Sequence, residues 1–121
     1  MAKNILVVDD EPDILKVLSL RLEKTGYKVA YGRNGQEALD LARQMVPDLI
    51  VLDIYLPDIN GDDVTRILKK DKKLKDIPVI LISATATSVA QRAEECGATG
   101  YITKPFEPEE LIGMVRKILE Q

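Results

Sequence analysis

The sequence predicts an α/β domain of (βα)5 form, with five parallel strands and helices on both faces of the sheet. Three observations carry this reading. Five short apolar runs alternate with longer amphipathic stretches along the 121 residues. Three of the runs, Ile5–Val8, Leu49–Leu52 and Val79–Ile82, are apolar at every position, as strands are when helices cover both sides of a parallel sheet. Each of these three is followed at once by a polar residue that chemistry can use, namely Asp9, Asp53 and Ser83.

In chain order, Ile5–Val8 is the first expected strand. Pro12 opens the first helix, whose inner stripe is Ile14, Leu15, Leu18 and Leu22, at three- and four-residue spacing. Gly26 follows, where a left-handed residue closes a helix. Tyr27–Tyr31 is the second strand, and Asn34 caps a helix striped by Ala38, Leu39, Ala42 and Met45. Pro47 leads into the strand Leu49–Leu52, and Val64, Ile67 and Leu68 mark the third helix. Pro78 precedes the strand Val79–Ile82, and Ala90, Ala93 and Cys96 mark a helix that Gly97 closes. Gly100–Thr103 is the fifth strand, and Leu111, Ile112, Val115, Ile118 and Leu119 stripe the last helix. The second and fifth strands mix polar and apolar residues, which suits sheet edges, so the flavodoxin-like order 2-1-3-4-5 is expected. No linker, low-complexity tract or solenoid repeat interrupts the pattern, and residues 1–121 read as a single domain.

Composition narrows the function. Apolar residues make up 45% of the chain, and 17 Lys plus Arg against 20 Asp plus Glu give a net charge of −3. A mildly acidic domain lacks the basic footprint of a nucleic-acid binder and the polybasic character of a membrane-surface protein. No apolar run approaches the roughly 20 residues that cross a bilayer, and Asp9-Asp10 ends the N-terminal run before a signal-peptide core forms. Cys96 is the single cysteine and histidine is absent, which argues against an intrachain disulfide and a structural zinc site. The expected setting is the cytoplasm, with no direct nucleic-acid contact and no membrane insertion.

In open parallel sheets, ligands bind outside the carboxyl ends of the strands. Those ends carry Asp9 and Asp10 on the first strand, Asp53 on the third, Ser83 on the fourth and Lys104 on the fifth. With strands about 4.8 Å apart, the three aspartates converge, while Lys104 starts roughly 10 Å from Asp53 and must reach with its long side chain. Each close carboxylate pair repels by roughly 3 kcal/mol at 5 Å and an effective dielectric of 20, a cost that a hard, oxygen-seeking cation removes. Mg²⁺ fits such a set, whereas capping the first helix is the simpler role for a lone aspartate there. Given the metal, Asp53 is the candidate nucleophile for an aspartyl phosphate. The Ser83 hydroxyl and Lys104 ammonium are then placed to hold two phosphoryl oxygens.

Four segments bear a resemblance: Ile5-Leu-Val-Val-Asp-Asp-Glu, Leu52-Asp-Ile-Tyr-Leu-Pro-Asp-Ile-Asn-Gly, Ser83-Ala84 and Tyr101-Ile-Thr-Lys-Pro-Phe. Over its whole length the chain resembles the receiver domains of bacterial response regulators, and in size the single-domain chemotaxis type. That resemblance implies a phosphoacceptor at Asp53 and a Mg²⁺ site, with Mn²⁺ as a substitute, formed by Asp9, Asp10, Asp53 and the backbone carbonyl of Tyr55. It implies a switch hydroxyl at Ser83, a phosphate-binding lysine at Lys104, a cis-proline at Pro105 and a switch aromatic at Tyr101. It also implies a phosphohistidine donor, either a sensor histidine kinase or a histidine phosphotransfer protein. Ser at 83 replaces the commoner Thr, Asn60 stands where Asp often precedes the glycine, and Tyr55 is bulkier than the usual Met and overhangs the site.

The output partner is expected at helix four, strand five and helix five, on a monomer or weak dimer. Met114 and Ile112 are the candidate exposed apolar residues there. Ala84–Val89, rich in small and hydroxyl residues, is a poor helix starter and the expected mobile element. Three other readings fit less well. An aspartyl phosphohydrolase wants a general acid two residues past the nucleophile, where Tyr55 stands, and a cap domain for which the chain has no length. A flavodoxin-type nucleotide module wants a phosphate loop where Asp10-Glu11-Pro12 stands. A purely docking receiver has no use for the intact set of Asp9, Asp10, Asp53, Ser83 and Lys104.

Overall fold

Strands and helices alternate from end to end: β1 (Asn4–Val8), α1 (Pro12–Lys24), β2 (Lys28–Gly32), α2 (Gly35–Met45), β3 (Leu49–Asp53), α3 (Gly61–Lys69), β4 (Val79–Ser83), α4 (Ala86–Cys96), β5 (Gly100–Thr103) and α5 (Pro108–Leu119). The structure is a computed structural model that describes residues 2–84 and 86–120. All strand pairings are parallel and the sheet order is β2-β1-β3-β4-β5, as the mixed composition of the second and fifth strands implied.

Side chains alternate across a strand, and here the alternation feeds two cores. Ile5, Val7, Leu49, Val51, Ile80 and Ile82 face α1 and α5, where they meet Leu15, Leu18, Leu111 and Val115. Leu6, Val8, Ile50, Leu52, Val79 and Leu81 face the other three helices, meeting Ala38, Leu39, Val64, Leu68 and Val89. The central strands β1, β3 and β4 are therefore apolar on both sides, which is why their sequences show no alternation.

The helix ends follow local chemistry. Asn34 accepts the Glu37 amide at 2.8 Å and caps α2. Pro12 opens α1, and Glu107 with Glu110 forms a capping box on α5. Gly26 and Gly97 take φ of 108° and 83° after α1 and α4. Val46 also turns left-handed, with φ 44°, to end α2, although nothing in its residue type announces it.

Three expected placements are corrected. Ile112 is buried rather than exposed, because Leu111, Ile112 and Val115 lie within one inward stripe of α5; Met114 is half-buried beside them. Ile67 lies at the edge of the α3 stripe and is exposed. On α4 the inward residue is Val89, and Ala90 faces out. Of the expected mobile segment Ala84–Val89, Thr85 and the side chains of Ala86 and Thr87 lie outside the described residues.

Candidate functional site

β1 and β3 run side by side with Val8 opposite Leu52, so the next residues, Asp9 and Asp53, leave the sheet together. Both are buried, at 0% and 4% exposure. Asp10 and Glu11 stand at the exposed rim above them. One carboxylate oxygen from each of Asp9, Asp10, Glu11 and Asp53 lies within 4.8 Å of the others.

Lys104 crosses the width of β4 to reach this group. Its Nζ donates to Asp53 Oδ2 at 2.9 Å and to Glu11 Oε1 at 3.0 Å. It also lies 3.1 Å from Asp9 Oδ2, an ion pair with that buried oxygen. The other Asp9 oxygen, Oδ1, accepts the Glu11 amide at 2.9 Å. Glu11 itself holds the cap position of α1 without a side-chain cap bond, and Asp9 satisfies the amide of that cap residue.

Burial pushes the Asp9 carboxyl up to about 6, against the Glu11 amide and with the Asp53 charge adding to the rise. Burial alone would lower the Lys104 ammonium, but Asp53, Glu11 and Asp9 around it outweigh that and hold it above the ordinary lysine value. The pocket is thus short of positive charge. Four convergent carboxylates around a single ammonium form a donor set that fits a hard divalent cation.

The remaining expected residues lie at the ends of β3, β4 and β5 and, for Tyr101, on the outer face of β5. Ser83 is buried at the end of β4, opposite Thr103 in register, and its carbonyl accepts the Lys104 amide at 2.8 Å. The Lys104–Pro105 peptide is cis. Tyr55 donates its amide to Asp53 Oδ1 at 3.1 Å, which roots it at the rim. Tyr101 points outward on β5 and is 45% exposed, in a groove with Glu110, Gly113, Met114 and Lys117.

The loop after Asp53 is pinned at two places. Asp58 accepts the Gly35 and Gln36 amides at 2.7 and 2.9 Å, tying the loop to the start of α2. The Gly61 amide donates to the Ile54 carbonyl at 2.7 Å, and a Cβ at Gly61 would stand 2.2 Å from the Asp53 carbonyl oxygen. Only glycine permits that approach.

Glu11, in sequence only the neighbour of an acidic pair, contacts Lys104; its place in the Asp9-Asp10-Glu11 run is the signal for it. Asp62 and Arg92 were not singled out at all. They form a two-pronged ion pair, with Arg92 Nε to Asp62 Oδ2 at 2.8 Å and Nη2 to Oδ1 at 3.0 Å.

The response regulator receiver domain family matches residues 5–116. The chain belongs to that family. As a receiver domain of two-component signalling it is a member of a class of switches that take a phosphoryl group on aspartate and bind Mg²⁺ at an acidic pocket. It is 39% identical over 120 residues to the polar-differentiation response regulator DivK of Brucella anthropi, covering 98% of each chain. It is 38% identical over 122 residues to the DNA-binding response regulator MtrA of Mycolicibacterium smegmatis, covering 100% of this chain and 52% of MtrA. The receiver chain spans about half the length of MtrA and other transcription-regulator relatives, and nearly all of DivK. Among solved structures, chemotaxis response regulator CheY4 of Vibrio cholerae superimposes with a TM-score of 0.92 at 28% identity, covering 98% of this chain and 100% of CheY4. The receiver domain of the sensor histidine kinase PA1611 of Pseudomonas aeruginosa, with a magnesium ion coordinated in its active site cleft, gives 0.91 at 26% identity over 100% of both chains.

Proposed function

We propose that Asp53 takes a phosphoryl group from a phosphohistidine donor in a Mg²⁺-dependent reaction, and that the acyl phosphate switches the α4–β5–α5 face for a partner. The observation that carries this reading is a buried Asp53 carboxylate with a lysine ammonium 2.9 Å from one oxygen, in a pocket of three further acids.

The chemistry follows from the charges. An Asp53 oxygen forms the new bond to phosphorus as the bond from phosphorus to the donor imidazole nitrogen breaks, and the imidazole leaves carrying a proton. Lys104, already at the acceptor, exchanges its contact with Asp53 for one with a phosphoryl oxygen, so no new charge has to be brought in. The Ser83 hydroxyl holds a second oxygen. Asp9, Asp10, Asp53 and the Tyr55 carbonyl would hold Mg²⁺, or Mn²⁺ in its place, which when bound offsets the charge of the carboxylates and of the transferred group. The reverse path, attack by water, returns Asp53 and inorganic phosphate. On this reading the chain is a signalling switch that catalyses its own phosphorylation and dephosphorylation rather than an enzyme for a separate substrate.

Movement of Ser83 toward the phosphoryl group would open space beside β4. Tyr101, two residues before the Thr103 that pairs with Ser83, lies on the same face of the sheet and would turn inward to fill it. The groove it leaves, with Met114 and Lys117, is the proposed output surface. The donor would be a sensor histidine kinase or a histidine phosphotransfer protein in the cytoplasm. Among the described residues no helix is long and apolar enough to cross a membrane. A DNA-directed output, as in the name of MtrA, would need residues beyond these 121, since the net charge of −3 gives them no basic footprint. The receiver acts as a monomer or weak dimer.

Borohydride reduces an acyl phosphate to an alcohol and so converts a phosphorylated aspartate to homoserine. Treatment of the donor-labelled protein followed by peptide mapping should find homoserine at residue 53. Homoserine at another aspartate, or at none, contradicts the assignment.

A further inference from the structure

Arg92 and Tyr55 are joined in a way that the phosphoacceptor reading does not require. Asp62, in the first turn of α3, is buried, with its side chain 7% exposed. Arg92, on α4, grips both of its oxygens at 2.8 and 3.0 Å, and Arg66 approaches Asp62 from the same helix at 3.8 Å. A two-pronged guanidinium–carboxylate pair fixes the plane of the arginine as well as its position. The remaining arm of the fork, Nη1, donates to the Tyr55 hydroxyl at 3.1 Å, and the guanidinium carbon stands 5.3 Å from the centre of the Tyr55 ring. Tyr55 is therefore tied at both ends. Its amide is bonded to Asp53 at the pocket rim, and its hydroxyl is bonded to α4.

We propose that Arg92, oriented by Asp62, is a positioning residue that holds the Tyr55 ring as a fixed wall beside Asp53 and so lengthens the life of the phosphoryl group there. The inference rests on phosphorylation of Asp53. In the step concerned, a water oxygen bonds to phosphorus while the bond from phosphorus to the Asp53 oxygen breaks. Asp53 leaves as a carboxylate, and the protons of the water pass to inorganic phosphate and solvent. Water must reach phosphorus on the side opposite the departing oxygen. A ring fixed at both ends keeps one flank of that approach closed, whereas a ring fixed only at its root sweeps aside. Because Arg92 belongs to α4, the latch also makes the position of that helix a determinant of how long the phosphoryl group survives.

The test compares Tyr55→Phe, Arg92→Lys, Arg92→Gln and the Tyr55→Phe/Arg92→Gln double variant. Tyr55→Phe keeps the ring and loses only the tie. Arg92→Lys keeps a positive charge at Asp62 but loses the planar fork that spans Asp62 and Tyr55 together, which guards against a variant that merely fails to fold. Each protein is labelled with acetyl phosphate and Mg²⁺, the donor is removed, and loss of the phosphoryl group is followed by intact mass. Each single variant should lose it roughly threefold to tenfold faster, the kinetic weight of one hydrogen bond, and the double variant no faster than the singles. A second readout needs neither metal nor phosphate: in chelator, the Arg92 Nε–H resonance should be resolved, slow to exchange and shifted by Tyr55→Leu. Unchanged or slower decay in the variants, multiplicative effects in the double variant, or an Arg92 resonance indifferent to Tyr55 overturns the latch while leaving phosphorylation of Asp53 intact. No adduct on the wild-type protein overturns the phosphoacceptor reading and the latch with it.

Discussion

Lys104 Nζ lies 2.9 Å from Asp53 Oδ2 although β4 separates the strands that carry them. The lysine serves as the standing counter-ion of a pocket that gathers Asp9, Glu11 and Asp53 about a single ammonium. Replacing Lys104 with Met removes that charge and leaves buried carboxylates facing one another. In chelator the variant should be less stable by about 3–5 kcal/mol, the usual cost of stranding one side of a buried pair. Millimolar Mg²⁺ should restore part of the loss. Urea unfolding of both proteins with and without Mg²⁺ checks both statements.

Asp9 is expected to act in the opposite direction. Its folded-state pKa of about 6 stands above the ordinary 3.8, so the folded protein holds this proton more tightly than the unfolded chain does. The contribution to stability is fully present below about 4 and is lost as pH rises through about 6. Asp9→Asn should therefore be more stable than wild type at pH 7.5 in chelator, with the gap closing as pH falls through that window. Mg²⁺ should stabilise wild type and have little effect on the variant. A thermal-shift series across pH, with and without the metal, measures this.

Gly61 is held against the acceptor strand by geometry alone. With an added Cβ 2.2 Å from the Asp53 carbonyl oxygen, Gly61→Ala must displace the loop or the strand end. A loss of around 3 kcal/mol is expected, the upper end for overpacking, together with weaker Mg²⁺ binding because the acceptor moves. Gly113→Ala, where a Cβ meets nothing within 4 Å, serves as the tolerant control in the same unfolding assay.

The α3–α4 ion pair carries its own pH signature. Burial would raise the Asp62 carboxyl, but Arg92 outweighs it and holds the group below its ordinary 3.8. A lowered folded-state value means that stabilisation is present above the unfolded pKa and lost as pH falls through the folded one. Wild type should exceed Asp62→Asn in stability at pH 6, and the difference should shrink as pH drops below about 3.8. Parallel urea titrations at pH 6 and pH 3 give the comparison.

What was legible in the sequence follows from how local each feature is. The central strands, the Asn34 cap and the glycine turns depend on residue type and near neighbours. The site was legible because a parallel sheet brings Asp9, Asp53, Ser83 and Lys104 to one edge once the strand order is known. Ile112 was misplaced because a helix stripe wide enough to bury both Leu111 and Ile112 cannot be told from spacing without the packing of α5 on β4 and β5. The Asp62–Arg92–Tyr55 tie was invisible for a related reason: Asp62 and Arg92 are 30 residues apart, and their meeting depends on how α3 and α4 lie together. Val46 adopts a left-handed conformation at the end of α2 against its own β-branched preference, so its residue type gave no sign of the turn.

The central claim is that Asp53 accepts a phosphoryl group with the help of Mg²⁺, and intact mass spectrometry after incubation with acetyl phosphate tests it most directly. Wild type should gain one phosphoryl adduct in Mg²⁺ and none in chelator, and Asp53→Asn should gain none in either. A wild-type protein that stays unmodified in Mg²⁺, or an Asp53→Asn variant that still gains the adduct, would contradict it.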